Sequence, residues 1–407
     1  MGYSKDALKG VSWVGALRFV TRIISFLRTA ILARILTPSQ FGAYGVASLA
    51  VALLEVLTET GVNVILVQER DDINKYLNSA WIISIARGFI IGSVILFSAS
   101  FISNFFHSQD SLPLLLLISM VPILRGFINP SIVKFQRDLQ FHKEFWYRLS
   151  IFFVDGITVV IFAFITKSAI SFVFGLLFGV IFEVILSFVV IKPRPSFVFE
   201  PEFLKKIMHR GKWVTASGIF NYLFYNADNI VVGRILGTTQ LGLYQMGYSI
   251  SILPITEVAD VFSRVTFPIY SKIAKENTRL KQAFLKTLSI VSTLTIPFGV
   301  VLFLFPEEIV KIVLGNNWLG VVPALRVLAV FGVVRAISGF SSTLFLAVGK
   351  QEYVSVVTFV SILGLAVSIV PLVLSYGIVG AGISALIGSL LALPFMIYFA
   401  LKIFSVV

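Results

Sequence analysis

Long apolar stretches recur along the whole chain, and short polar segments separate them. A helix needs about 20 mostly apolar residues to cross the hydrocarbon core of a bilayer, and each stretch is about that long. The pattern therefore predicts an all-α polytopic membrane protein with about 12 transmembrane helices. The predicted spans are about 10–33, 41–67, 79–105, 113–133, 146–166, 169–191, 212–235, 242–268, 284–305, 321–347, 353–375 and 378–401.

Basic residues are distributed unequally over the segments that connect these helices. When the N-terminus is placed in the cytoplasm, twenty-one lysines and arginines fall in connections on that side, and four fall on the other. Because lysine and arginine accumulate in cytoplasmic loops, the pattern predicts cytoplasmic N- and C-termini. The four basic residues on the opposite side are Arg34, Lys167, Arg234 and Lys311.

One phrase occurs twice along the chain. Residues 33–44 read ARILTPSQFGAY, and residues 233–244 read GRILGTTQLGLY. This spacing far exceeds the roughly 20–50 residues of solenoid repeats. It indicates two pseudo-symmetric halves of six helices each, related by an axis along the membrane normal. Arg34 and Arg234 would then end equivalent helices, where a basic side chain complements the C-terminal carbonyl groups.

The two halves meet at the longest cytoplasmic connection, residues 192–211. It begins with the letters KPRP, which cannot continue a helix, and its FLKKI stretch predicts a short amphipathic helix at the membrane surface. We therefore expect an N-terminal six-helix lobe over 1–191 and a C-terminal six-helix lobe over 212–407. On the outside, residues 306–320 predict a short interfacial element with Trp318 at headgroup level.

Composition excludes several classes of function. The chain is 57% hydrophobic and 13% charged, with a mean hydropathy of +0.95, whereas soluble domains are about 25% charged. The net charge of +13 arises mostly in the cytoplasmic connections, so it does not indicate a nucleic-acid partner. Cysteine is absent, the three histidines fall in predicted loops, and no Walker motif is present. We therefore expect neither a metal site nor a cofactor.

Eight basic residues fall inside the predicted spans, and all are arginine. A charge at a lipid-facing helix centre costs roughly 2.5–3.5 kcal/mol on insertion scales, so they should face a protein interior or a wet cavity. Arg18, Arg22 and Arg28 share one arc of the first span. Glu59 and Glu55 of the second span match the depths of the first two, so structural salt bridges are as plausible for these as ligand binding. Arg28 has no matching acid there and is the better ligand candidate.

Arg125 and Arg335 occupy equivalent helices of the two halves, in the runs LRGF and VRAI. Neither has an acid beside it in the sequence. The planar guanidinium group can donate two hydrogen bonds at once to a phosphate, so both arginines are candidate phosphate ligands. The alternative is snorkelling to an interface, which the mid-span position of Arg125 makes difficult.

The seventh predicted span differs from the first, because it reads NYLFYNADN over 221–229. Amides and tyrosines suit sugar hydroxyl groups, and they suit hydrogen bonding between helices equally well. An acid at mid-membrane can bind a proton or Na⁺, so Asp228 is the candidate for ion coupling. The candidate glycan ligands are Asn221, Tyr222, Tyr225 and Asn226.

The run ILARILTPSQFGAYGVASLAVALLEVLTETGVNVILVQ over 31–68 resembles the polysaccharide transporter family of lipid-linked oligosaccharide flippases. This Wzx-type family belongs to the multidrug/oligosaccharidyl-lipid/polysaccharide exporter superfamily. Further similar runs are FQRDLQFHKEF over 135–145, ADNIVVGRILGTTQLGLYQMGYSI over 227–250, and LGNNWLGVVPALRVLAVFGVVRAISG over 314–339. The resemblance therefore covers almost the full chain.

The resemblance implies two six-helix lobes around a central cavity in the cytoplasmic membrane, with transport by alternating access. It implies a substrate made of undecaprenyl diphosphate that carries an oligosaccharide repeat unit, for O-antigen, capsule or exopolysaccharide. Movement without bond-making implies a transporter and no enzyme, with the polymerase and glycosyltransferases of the same pathway as candidate partners. The residues expected to meet the diphosphate are Arg28, Arg125, Arg335, Arg18 and Arg22.

Two other functions remain open as alternatives. A cation-coupled multidrug antiporter of the same superfamily would favour an acid-lined aromatic cavity, and the eight intramembrane arginines argue against it. A membrane-embedded polysaccharide polymerase or glycosyltransferase would need an acidic catalytic group on a sizeable external loop. The predicted external connections are too short to build such a loop.

Overall fold

The structure, a computed structural model, describes residues 2–58, 74–198 and 201–405 of the chain. All regular structure within these residues is helical, which confirms the predicted all-α class. The chain divides into two compact units, Met1–Asn226 and Ala227–Val407. The predicted lobe and linker boundaries remain predictions.

The first unit consists of helices that pack against one another through apolar faces. One of its buried clusters joins several of these helices through small and branched side chains such as Ala47, Ile95 and Val173. The helices are α1 (Gly2–Ile35), α2 (Pro38–Leu57), α3 (Asn74–Phe105), α4 (Ser111–Ile118), α5 (Met120–Gly126), α6 (Lys134–Arg137), α7 (Phe141–Thr166) and α8 (Ile170–Val190), with a 3₁₀ helix over Pro130–Val133.

The second unit is also built of packed helices and begins within α9 (Pro201–Ser251), the helix in which the first unit ends. Its core includes Leu328, Phe340 and Phe345, none of which is exposed. The remaining helices are α10 (Leu253–Lys272), α11 (Asn277–Leu304), α12 (Pro306–Val313), α13 (Val322–Ala347) and α14 (Gln351–Ser405), with a 3₁₀ helix over Asn316–Val321.

The duplicated phrase forms a helix break in both units. In the first, α2 begins after Thr37, whose side chain accepts a hydrogen bond from the backbone N–H of Gln40. The side chain of Gln40 in turn accepts one from the backbone N–H of Thr37, which completes a capping box. In the second, Gly237 stands where the first has Thr37 and interrupts α9 with φ +81°. At equivalent positions, a side-chain cap in the first unit and a glycine in the second therefore each allow the helix to break.

Two predicted spans have different boundaries in the structure. The predicted helix over 113–133 is broken, because Ser111–Gly126 and Pro130–Arg137 are bent by 69° from each other. A proline disfavours helical geometry in the residue before it, which explains why no single helix passes Pro130. The helix predicted over 41–67 begins at Pro38, and the described part of the chain shows its end at Leu57. Residues 59–67 of that prediction lie outside the described residues.

Two surface predictions also need correction. The FLKKI segment is not a separate surface helix, because α9 runs from Pro201 without interruption until Gly237. The external element over 306–320 is present as α12 and the following 3₁₀ helix. Its Trp318 is fully buried within the second unit, so the side chain packs against protein and does not contact lipid headgroups as expected.

Seven helices in the described residues are long and apolar enough to cross a membrane, or eight if the bent pair forms one span. One of the seven is α14, whose 55 residues are interrupted at Gly377, between the last two predicted spans. Large apolar side chains such as Phe97, which is 85% exposed, cover the helix exteriors, as lipid contact requires. The chain is therefore a multi-pass membrane protein, and the total of twelve spans remains a prediction.

Candidate functional site

The first charged cluster joins α1 to α7. Nη1 of Arg28 donates a hydrogen bond to Oδ2 of Asp155, and the two side chains are 23% and 15% exposed. The guanidinium carbon of Arg28 also lies 5.5 Å from the centre of the Phe152 ring, within the range of a cation–π contact. Phe152 and Asp155 are three residues apart on α7, so both reach the same side of that helix. Arg28 therefore has an acidic partner, and it lies on α7.

Asp155 occupies a notch formed by glycines of α8. A Cβ atom added to Gly175 would lie 2.9 Å from Oδ1 of Asp155, and one added to Gly179 would lie 3.1 Å from its Cβ. No hydrogen-bond partner within the described residues reaches the buried Oδ1 atom. The carboxylate is therefore tightly enclosed, and one of its two oxygens lacks a hydrogen-bond donor.

A second cluster lies where α2 ends. Nη1 of Arg125, on α5, forms an ion pair with Oε1 of Glu55 at 2.6 Å. Arg87, on α3, donates from Nη2 to the backbone carbonyl of Glu55 at 2.5 Å and from Nε to Oγ1 of Thr58 at 3.1 Å. The last carbonyl groups of a helix lack partners within it, so Arg87 stabilises the end of α2.

This cluster changes two expectations about the arginines. Arg125 has a neighbouring acid, which α2 supplies from far away in the sequence, and Glu55 pairs with Arg125 where Arg22 was the expected partner. Arg18 and Arg22 are exposed on α1. Glu59 lies outside the described residues, so its expected pairing with Arg18 remains a prediction.

In the second unit, Asp228 is 5% exposed and receives several hydrogen bonds. Its Oδ2 atom accepts from the hydroxyl of the fully buried Tyr244 at 2.8 Å. Its Oδ1 atom accepts from the backbone N–H of Asn229 at 2.8 Å and from the amide Nδ2 of the same residue at 3.1 Å. The amide oxygen of Asn229 is buried, and no group in the described residues donates to it. The position therefore gathers carboxylate, amide and phenol oxygens in one small space.

Arg335, on α13, is half-buried and close to this group. Its Nη1 atom donates to the hydroxyl of Tyr248, and its guanidinium carbon lies 5.8 Å from the centre of the Phe331 ring. The rings of Tyr244 and Tyr248 are 6.4 Å apart. A line of contacts therefore runs from Asp228 through two tyrosines to Arg335.

The candidate glycan residues differ from one another in accessibility. Tyr222 is buried, and its hydroxyl donates to the backbone carbonyl of Leu49 at 2.7 Å. Asn226 donates from Nδ2 to the backbone carbonyl of Tyr222 at 3.0 Å. The contact of Tyr222 matches the alternative of hydrogen bonding between helices, whereas that of Asn226 lies within α9. Tyr225 is 53% exposed, and the side chain of Asn221 lies outside the described residues.

The run over 135–145 has a structural role that its sequence did not indicate. Glu144 is buried, and its Oε1 atom accepts from Nε of Arg148 at 2.7 Å and from Nε2 of Gln136 at 2.9 Å. These contacts tie the short helix α6 to the first turns of α7. The run therefore stabilises the bent connection between two helices.

Three residues of these clusters have no assigned role in the sequence-based prediction, namely Asp155, Tyr244 and Tyr248. Two signals point to them. Asp155 is one of the few acids inside an apolar span, and such acids usually have partners. Tyr244 belongs to the duplicated phrase, in which it corresponds to Tyr44. Among the described residues, no group of three or more His, Cys, Asp or Glu side chains is placed to hold a metal ion.

Residues 31–323 match the family described as polysaccharide biosynthesis protein (Polysacc_synt_3). The chain belongs to this family. The matched region contains the helices that carry Asp155, Arg125 and Asp228, whereas Arg28 and Arg335 lie just outside its two ends.

The chain is also similar to curated members of polysaccharide pathways. It is 23% identical to the lipopolysaccharide biosynthesis protein WzxC of Escherichia coli, over 86% of this chain and 72% of the relative. It is 23% identical to the teichuronic acid biosynthesis protein TuaB of Bacillus subtilis, over 86% of this chain and 73% of the relative. A membrane protein of the cps region of Klebsiella pneumoniae is 26% identical over 99% of this chain and 84% of its own length.

Two solved structures establish what kind of helical fold this family member has. The inward closed conformation of the lipid II flippase MurJ aligns with a TM-score of 0.78 at 18% identity, covering 96% of this chain and 88% of MurJ. An inward-facing multidrug transporter of the MATE family aligns with a TM-score of 0.70 at 15% identity, covering 97% of this chain and 98% of the transporter. The chain therefore shares its helical fold with these two transporters.

Proposed function

We propose that this protein is a flippase that moves undecaprenyl-diphosphate-linked oligosaccharide repeat units across the cytoplasmic membrane by alternating access. Its family membership and its transporter fold support a role in the export step of polysaccharide biosynthesis. Translocation makes and breaks no covalent bond, so the protein needs no catalytic group. Its N- and C-termini lie in the cytoplasm, as the distribution of lysine and arginine favours.

The observation that carries this proposal is the set of arginines inside apolar helices. Arg28 and Arg125 in the first unit and Arg335 in the second are each held by side-chain contacts within the protein. A diphosphate is a compact, multiply charged anion, and arginine is the side chain best suited to bind phosphate through two hydrogen bonds. Arg18 and Arg22, exposed along α1, extend the same positive charge towards the cytoplasmic end of that helix.

Asp228 is the proposed coupling group, which binds H⁺ or Na⁺. The oxygen atoms of Asp228, Asn229 and Tyr244 lie together in a buried position, and oxygen atoms are the ligands that hard cations prefer. A buried carboxylate in a spanning helix is costly, which favours a functional reason for its presence. Replacing Asp228 with Asn should remove the dependence of export on the ion gradient.

The glycan and the pathway partners complete the proposal. Tyr225 is exposed and offers a ring and a hydroxyl to a sugar, and Asn221 and Asn226 are amides within four residues of it in the sequence. The hydrogen bond from the Tyr222 hydroxyl to the backbone carbonyl of Leu49 fixes the position of this segment. The polymerase and glycosyltransferases of the same pathway are the proposed partners, because they make the substrate and consume the product.

The proposal is tested by export in the native host. In a strain that lacks the gene, variants Arg28→Ala, Arg125→Ala and Arg335→Ala are expressed at equal membrane abundance, and surface polysaccharide is measured. We expect each to lose most export, and lysine at the same positions to restore less than arginine because lysine binds phosphate as a point charge. Arg279→Ala is the matched control, since Arg279 forms an exposed ion pair with Glu276. Normal export by all three variants would contradict the diphosphate role.

A multidrug antiporter is the second candidate, because the fold is shared with MATE transporters. Its cationic substrates would be repelled by the intramembrane arginines. Drug resistance that depends on the protein, together with unchanged surface polysaccharide in its absence, would favour this candidate. A membrane-embedded polymerase is the third candidate. If a strain without the gene still carried polymer of normal length at its surface, this result would argue against both the polymerase and the flippase.

A further inference from the structure

We infer that Asp155 is a resident counterion that competes with the substrate diphosphate for Arg28. In the empty protein its carboxylate holds the guanidinium in place. When substrate binds, the diphosphate replaces the carboxylate, and Asp155 later helps to expel it. Asp155 is thus a positioning residue that sets affinity and release, and this inference rests on the proposed function.

The contacts of Arg28 favour a partner that can be replaced. Its ion pair with Asp155 uses Nη1, whereas a phosphate can accept two parallel hydrogen bonds from one guanidinium group. The Phe152 ring, 5.5 Å away, supports the guanidinium from α7 whichever anion is bound. An exchange of anions therefore leaves part of the environment of Arg28 unchanged.

The contacts of Asp155 favour the same conclusion. Its Oδ1 atom is buried and receives no hydrogen bond within the described residues. A buried carboxylate oxygen without a donor carries a desolvation cost that a fully bonded carboxylate does not. Gly175 and Gly179 allow this carboxylate to approach the backbone of α8 closely, where its side chain is only 15% exposed. Displacement from Arg28 leaves this buried carboxylate without an ionic partner, so Asp155 opposes binding of the diphosphate and favours its release.

The exchange has a consequence for transport. Once the diphosphate has taken Arg28, the negative charge of Asp155 lies next to another anion, and repulsion lowers the affinity. A transporter needs binding that is strong enough to load substrate and weak enough to release it. Asp155 should therefore weaken binding and speed release at the same time.

The duplicated position shows that this ion pair is specific to the first unit. Counting along the repeat, Arg28 corresponds to Asp228, which accepts hydrogen bonds from Tyr244 and Asn229. An arginine and an aspartate therefore occupy equivalent places on equivalent helices. The pairing of Arg28 with Asp155 is not imposed by the shared fold.

The test measures binding and turnover separately, with undecaprenyl diphosphate as the binding probe. Purified full-length protein in phosphatidylcholine nanodiscs should bind the probe about fivefold to tenfold more tightly as Asp155→Asn than as wild type, the scale of a partly exposed ion pair. In cells, the same variant should export less polysaccharide at equal membrane abundance. Asp155→Glu, which keeps the carboxylate, should return both values towards wild type.

Two further variants make the result decisive. Glu307→Gln removes a carboxylate from an exposed ion pair with Lys311 and should leave probe binding unchanged. Asp155→Ser serves if the asparagine variant fails to fold, and the same gain in affinity is expected. If folded Asp155→Asn or Asp155→Ser bound the probe no more tightly than wild type, the inference would be overturned. Binding of the probe by the wild type would still support the proposed function. Absence of binding by the wild type itself would overturn both.

Discussion

The two units place charge differently on the same duplicated helices. In the first unit, Arg28 and Arg125 are each paired with a carboxylate, from Asp155 and Glu55. In the second, the corresponding positions carry Asp228 and Arg335, and both make hydrogen bonds to tyrosine hydroxyl groups. The two units therefore carry charged side chains at corresponding positions, but the sign of the charge differs between Arg28 and Asp228, and the partners differ at both positions.

This difference suggests a division of labour. A guanidinium with an ionic partner is neutral as a pair and can exchange one anion for another. A buried carboxylate surrounded by hydroxyl and amide groups can instead take up a cation. Arg28 and Arg125 of the first unit, with Arg335 of the second, are thereby suited to the anionic end of a lipid-linked substrate, whereas Asp228 is suited to the coupling ion. The following predictions test this comparison.

The largest effect is expected when one half of the ion pair in the first unit is removed. Arg28→Ala leaves the carboxylate of Asp155 without its partner inside an apolar helix pair, which typically costs about 3–5 kcal/mol. Denaturant titration of the purified protein in micelles measures the loss. The double variant Arg28→Ala/Asp155→Ala should recover much of this stability. A double variant no more stable than Arg28→Ala would show that the pair is not the cause.

The second unit should respond more mildly to the loss of a hydroxyl donor. Tyr244→Phe removes one hydrogen bond to the buried carboxylate of Asp228, which should cost about 1.5–3 kcal/mol of unfolding free energy. The same variant should weaken the dependence of export on the cation gradient. Tyr222→Phe is the matched control, because its hydroxyl bonds a backbone carbonyl. An equal effect of the two variants on ion dependence would remove Tyr244 from the coupling group.

The duplicated helix breaks offer a comparison without charge. Gly237 has φ +81° and ψ −180°, a conformation that is essentially restricted to glycine, so Gly237→Ala should destabilise the protein by about 1–3 kcal/mol. A Cβ atom at Gly237 would meet nothing within 4 Å, so strain alone is measured. Thr37→Ala removes the equivalent cap and should cost about 1 kcal/mol. If Gly237→Ala left the free energy of unfolding unchanged, the backbone at this position would be able to adopt another conformation without cost.

The smallest effect is expected at the exposed pair of α12. The hydrogen bond and the positive charge of Lys311 lower the pKa of Glu307 below its usual value of 4.5. A depressed pKa contributes stability above the unfolded value, and that contribution is lost as the pH falls through the folded value. Glu307→Gln should therefore be slightly less stable than wild type at neutral pH, and this difference should disappear as the pH falls below about 4.5. A difference that persisted at low pH would contradict this assignment.

Much of the fold followed from the apolar pattern and the repeat. The spans over 146–166 and 169–191 correspond closely to α7 and α8. A continuous apolar run in a membrane forms a helix because only then are its backbone hydrogen bonds made within the segment. The bend before Pro130 was missed, since a short apolar run continues across it. Trp318 was misplaced because composition does not distinguish a membrane interface from a protein core.

The candidate site was predictable in its residues and not in its contacts. Intramembrane charge alone singled out Arg28, Arg125 and Asp228. Their partners come from helices distant in the sequence, as with Asp155 and Glu55, and depth counting along adjacent spans cannot find them. Tyr244 was visible only as part of a repeat, which gave no reason to expect its contact with Asp228.

The central claim is tested most directly by translocation in proteoliposomes. Purified protein is reconstituted with the fluorescently labelled undecaprenyl-diphosphate-linked repeat unit extracted from its host, and label exposed on each side is measured by quenching under an imposed H⁺ or Na⁺ gradient. We predict rapid transfer by wild type, a large loss in Arg335→Ala and loss of the ion dependence in Asp228→Asn. Transfer no faster than in protein-free vesicles would contradict the account.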